Sequence, residues 1–126
     1  MKNFTKVLFL FIANLIIISS ASSSTFYVNS LTGSDANSPA QAQNIATPWL
    51  TVQHAIDNAA VVSGDNIVVA EGTYAGFNLT KRLNIIGVWK GSNPVVNTVF
   101  NSTVSLSAAG GSSAERMLLK NLRVSC

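Results

Sequence analysis

The side chains that could carry chemistry are few. Five acids (Asp35, Asp57, Asp65, Glu71 and Glu115), one histidine (His54) and one cysteine (Cys126) are spread over 126 residues. Glycosidic hydrolysis needs two facing carboxylates. The acids recur at no spacing that would set two of them opposite each other, so no pair is nominated. Cys126 as a nucleophile would need a histidine and an acid beside it, and the only histidine is His54. The cysteine is neither half of an internal disulfide nor part of a zinc pattern. Asp35-Ala36-Asn37-Ser38 begins like a calcium loop. Pro39 then stands at the third ligand position, and neither the required glycine nor a distal bidentate glutamate follows. An Asp/Asn turn is expected there, and His54 is expected on the solvent side or rim of a helix. No catalytic, cofactor-binding or metal-ligating residue is assigned. Asn78-Leu79-Thr80 and Asn101-Ser102-Thr103 are glycosylation sequons only if the source glycosylates exported proteins.

The rest of the chain is scaffold. It is 48% hydrophobic and only 10% charged, against about 25% charged in an average globular chain. Its polarity comes from Asn, Ser and Thr set among Val and Ile. That balance opposes disorder and long exposed helices and favours a β-rich protein with a neutral surface.

The N-terminus reads as an export signal. Lys2 and Lys6 precede an apolar run from Val7 to Ile18, broken only by Asn14, and Ser19-Ser20-Ala21 offers small residues for cleavage. The run is shorter than the roughly 20 apolar residues of a spanning helix, and no lipobox cysteine is present. Residues 1–21 are therefore expected to be a signal peptide, with no stable membrane span after cleavage. Its removal leaves six basic against five acidic residues, a net charge of +1 in place of +3. The remaining cations, Lys81, Arg82, Lys90, Arg116, Lys120 and Arg123, form no dense patch and no aromatic-basic pattern. Nucleic acid is not expected as a partner.

The elements that follow are short. Thr25 to Asn29 is a β-type run, and 31–39 is a loop by its turn residues. Val52, Ala55, Ile56, Ala59 and Ala60 then share one side of a helical wheel, with Thr51 as cap and Gly64 just past the end, predicting a helix over 51–62. Ile67 to Ala70 is an apolar strand, and Glu71-Gly72-Thr73-Tyr74 a turn in which Gly72 takes a positive φ. Phe77 and Leu79, then Leu83 and Ile85, alternate with polar neighbours around an exposed bend at Thr80-Lys81-Arg82. Thr103 to Ser107 shows the cleanest alternation. Met117 and Leu119 keep one phase and Leu122 and Val124 the other, so the chain turns a corner near Lys120-Asn121.

Strands this short, joined by bends, fit a sandwich or a doubly wound sheet poorly, and no Asn-Gly or Asp-Gly hairpin signal occurs. A solenoid fits better. Its coils supply short strands whose inward positions stack, and Asn at bends pairs with its equivalents above and below. Asn84 and Asn121 are candidates for such positions. The positions Ile67, Ile85, Val104 and Leu122 recur at only roughly regular spacing.

Phe26-Tyr27-Val28, Gly33-Ser34-Asp35-Ala36-Asn37, Pro48-Trp49-Leu50-Thr51-Val52-Gln53-His54-Ala55-Ile56, Ser63-Gly64-Asp65-Asn66-Ile67-Val68-Val69, Glu71-Gly72-Thr73-Tyr74 and Leu83-Asn84-Ile85-Ile86-Gly87 occur in that order. Together they resemble the start of pectin-lyase-like right-handed parallel β-helix proteins, over about residues 25–106. The resemblance implies an all-β solenoid whose N-terminal end is covered by the helix at 51–62, with Trp49 and Tyr74 packed under or beside it. An exposed Trp stacking on sugar is the lesser alternative. It further implies that lyase chemistry, proton abstraction beside a uronate carboxylate with a basic residue and often calcium, lies on coils beyond the cap. No catalytic residue carries over to this chain.

The expectation is thus a signal peptide at 1–21, followed at 22–126 by the cap and first coils of a secreted or cell-surface β-helix protein, truncated at its C-terminus. Its partners would be extracellular polysaccharide and downstream coils of the same chain. If the whole protein is an enzyme, a polysaccharide lyase or glycoside hydrolase is implied, with this segment alone inactive; no cofactor is expected in this segment, and calcium is a candidate cofactor of the full-length protein only. The alternatives are a non-catalytic adhesin or structural β-solenoid and, further off, a small complete secreted domain.

Overall fold

The structure, a computed structural model, describes residues 22–88, 97–107 and 117–125. The expected leader at 1–21, and with it Lys90, Glu115, Arg116 and Cys126, lies outside the described residues.

Among the described residues, nine short strands and two short helices alternate with bends. In chain order they are β1 (Thr25–Val28), α1 (Pro39–Ala42), α2 (Val52–Asp57), β2 (Asn66–Val69), β3 (Gly72–Tyr74), β4 (Asn78–Leu79), β5 (Asn84–Gly87), β6 (Thr98–Phe100), β7 (Ser105–Leu106), β8 (Leu118–Lys120) and β9 (Leu122–Val124). They form three sheets, ordered β1-β2-β5-β8, β3-β6-β9 and β4-β7, and every pairing is parallel. The fold is mostly strand in parallel sheets with few helices, as the all-β expectation requires.

In-register pairing converts the alternation read in the sequence into columns. Phe26, Ile67, Ile85 and Leu119 stand opposite one another across the first sheet, and the first three are fully buried. Tyr74, Phe100 and Val124 form the matching column of the second. Burying alternate side chains in this way removes apolar surface from water, while the positions between them in the first sheet, Thr25, Tyr27, Asn66, Val68, Asn84 and Ile86, are only half-buried.

The expected corner near Lys120-Asn121 is present. Asn121 has φ 58°, the one positive value among the described non-glycine residues, and it separates β8 from β9. Asn is among the residues that tolerate this conformation. A Cβ at Gly87 would run into the Asn121 carbonyl, so the column through this corner needs a glycine there. Of the two predicted ladder asparagines, Asn84 donates through Nδ2 to Asn66 Oδ1 at 2.9 Å. Asn121 instead supplies the corner.

Four expectations need correction. The helix runs over Val52–Asp57 and not 51–62. Asn58 leaves the helical region at ψ 130°, its Oδ1 accepts from Ala60 N–H, and Lys81 Nζ donates to the carbonyls of Asn58 and Val61 at 2.7 and 2.8 Å. Ala59 and Ala60 are exposed, and the apolar position after the helix is Val61. Gly64 does have φ 98°, but it lies in the turn into β2, where its N–H bonds to Arg82 O. The segment Gly72 to Tyr74 is a strand entered through Gly72, not a turn. Of Thr103 to Ser107, only Ser105 and Leu106 pair, and both are exposed. Finally, the polar stretch from the 31–39 loop to Pro48, which shows no period in the sequence, opens with α1 at Pro39–Ala42, whose start is fixed by a reciprocal capping box between Ser38 and Gln41 with Pro39 in the first turn.

Candidate functional site

Asp35, Asp57 and Asp65 are committed to the scaffold. Asp35 Oδ1 accepts from the N–H groups of Leu50 (2.9 Å) and Thr51 (3.1 Å), and its Oδ2 accepts from Thr51 Oγ1 (2.7 Å). Thr51 Oγ1 in turn accepts from His54 N–H, capping α2. The turn that begins like a calcium loop therefore ties the 30–48 excursion to the start of the helix. Asp65, only 2% exposed, accepts from Ser24 N–H and Val62 N–H at 2.8 and 2.9 Å. Asp57 accepts from Gln53 Nε2. Among the described residues no three His, Cys, Asp or Glu side chains gather where a metal could sit, and no helix is long and apolar enough to cross a membrane.

The aromatic candidates are packed. Trp49 is fully buried, stacked on Phe26 at 5.3 Å, with Nε1–H donating to Asn37 O at 2.8 Å. This burial rules Trp49 out as a sugar platform. His54 meets its edge at 5.3 Å and is half-buried, a rim position. Tyr74 is 5% exposed; its hydroxyl donates to Ala70 O (3.0 Å) and accepts from Ser30 N–H (3.2 Å). Burial raises the phenol above its ordinary value of 10.0, and the bond from Ser30 partly offsets this.

A cavity that the sequence did not suggest lies between α2 and β3. It measures about 310 Å³ and is formed by Leu50 to Gln53 on one side, Thr73 to Gly76 on the other, and Ser30. Each of the two lining segments is held in place: Leu50 and Thr51 by Asp35, Tyr74 by Ala70 and by Ser30 within the lining itself, and Gly76 N–H by Ser102 Oγ at 2.7 Å. Gln53 reaches from the first turn of α2 to β4, where Oε1 accepts from Asn78 N–H at 2.8 Å and Nε2 lies 3.4 Å from Asn78 O. A side-chain amide has the donor and acceptor of a peptide group, so Gln53 closes this strand edge as a neighbouring strand would. Nothing in the sequence marks that role beyond a Gln early in an amphipathic helix. The lining carries hydroxyls, an amide, apolar carbons and backbone groups. Its chemistry is recognition by hydrogen bonding and apolar contact.

No protein-family model, curated protein or solved structure matches the chain.

Proposed function

We propose that this chain is the cap and opening coils of a secreted, pectin-lyase-like right-handed parallel β-helix protein that associates with extracellular polysaccharide, its active or binding surface lying on coils after β9. Three features support the reading. The strands of the three sheets recur in one order along the chain, β2-β3-β4 and then β5-β6-β7, each stacking in parallel on its predecessor. Helix α2 packs against β1, β2 and β4, at the end of the stack where the first strands lie. The inward columns finish at the other end on exposed apolar residues. That last observation carries the proposal: Leu119 is 39% and Val124 48% exposed although each continues a column of buried residues, and a further coil would cover them.

A non-catalytic adhesin or structural solenoid is the second reading. It is favoured by Asp35, Asp57 and Asp65 all being spent on scaffold contacts. The test compares the 126-residue chain with the product of the same reading frame continued past Cys126. Retention on immobilised polygalacturonate is expected for the longer protein alone. Ultraviolet-absorbing unsaturated product is expected from neither calcium-supplemented nor calcium-free incubations of the short chain. A frame that stops at Cys126, or lyase product from the short chain, overturns the placement of the working surface downstream.

A further inference from the structure

The starting edges of the three sheets are finished differently. Over β2 runs β1, in register. Beside β4 the Gln53 amide engages Asn78. Over β3 no strand of the described chain passes, because Asn29 Oδ1 accepts from Leu31 N–H and Thr32 N–H just after β1 and the chain swings out, returning at Trp49 alongside Val28. The edge left open bounds the cleft. Gly72 N–H donates to Asn97 O, and Tyr74 O accepts from Asn101 N–H. Backbone groups alternate sides along a strand, so the N–H and C=O of Thr73, between these two residues, point away from β6. Thr73 is exposed and sits in the cleft lining.

We propose that this cleft is a strand-addition site, taking an extended, uncharged polypeptide segment that pairs through its backbone with Thr73. The occupant follows from charge complementarity. None of the nine lining residues carries a formal charge, so a charged segment would shed hydration with no counter-ion. The partial charges on the Thr73 N–H and C=O are matched by the C=O and N–H of an extended chain lying about 4.8 Å away, the spacing between neighbouring strands. Leu50, Val52 and Tyr74 supply apolar walls for small side chains. β3 is three residues long, which limits the paired segment to a similar length. This site goes beyond the polysaccharide reading and does not depend on it.

The test uses the full, unmodified chain. Amide hydrogen exchange at Thr73 is followed with a capped tripeptide of alanine, threonine and alanine at millimolar concentration, and with the same peptide methylated at every amide nitrogen. The first peptide is expected to slow exchange at Thr73 by about tenfold or more, as pairing protects an amide, and the methylated one to leave it unchanged. Equal protection by both peptides overturns the proposal, as does protection by neither. Two further results overturn it: protection by a neutral tetrasaccharide where the peptide gives none, and protection that rises with protein concentration alone, the mark of a second copy in the cleft.

Discussion

Asn66 and Asn84 show how a neutral side chain holds neighbouring strands in register. Asn66 Oδ1 accepts from Asn84, and its Nδ2 donates to Ser23 Oγ at 3.0 Å with Thr25 Oγ1 at 3.4 Å, so one amide bridges β1, β2 and β5. Asn66→Ala is expected to lower stability by about 1–2 kcal/mol in urea unfolding, the cost of partly buried hydrogen bonds lost together. A loss below the error of the measurement would show the ladder to be incidental. Tyr74 makes a pH-dependent contribution. Its phenol is raised in the folded state, so the neutral form is favoured there; the associated stability is complete below pH 10 and declines as pH rises past that value toward the folded one. Tyr74→Phe keeps the ring on Phe100 and loses both hydroxyl bonds. It is expected to cost about 1 kcal/mol near neutrality, with the difference from the parent shrinking in strongly alkaline buffer. A difference that stays constant with pH would separate Tyr74 from the alkaline loss.

At the scale of elements, α2 acts less by its length than by what its first turn reaches. Gln53→Leu removes the amide that covers Asn78 and is expected to cost about 1 kcal/mol and to speed exchange of the Asn78 amide, with β2 and β5 amides unaffected; an unchanged Asn78 rate would remove Gln53 from the edge. Strand positions were largely legible, because burial on one face imposes the alternation seen at Ile67 and Val69 or Leu83 and Ile85. The end of α2 was not, since Ala59 and Ala60 prolong the apolar spacing while the stop comes from Asn58 and a distant Lys81. Helix α1 is too short to display a period, although its Ser38-to-Gln41 capping box stood in the sequence. The cleft was illegible for a different reason. Its defining groups belong to the Thr73 backbone, and a free strand edge depends on where other segments fail to run, which no side-chain pattern records.

For the whole molecule, the two ends of the stack differ. Leu106, Leu118, Leu119 and Val124, 54%, 46%, 39% and 48% exposed, belong to β7, β8 and β9, the last strands of their sheets. Open strand edges carrying apolar side chains recruit other chains. The 126-residue protein is accordingly expected to sediment as a dimer or larger, and the double variant Leu119→Lys with Val124→Lys as a monomer. A monomeric parent would mean that this end needs no cover. The same asymmetry bears on how the chain acquires its shape. Pairing Thr25 with Asn66 closes 41 residues, whereas pairing Asn66 with Asn84 closes only 18, and the entropy cost of closure grows with the span. The longer of these two closures thus involves β1, which is synthesised before the strands that stack on it. Once it is made, each later strand needs only the layer already beneath it, so the direction of synthesis and the direction of assembly coincide.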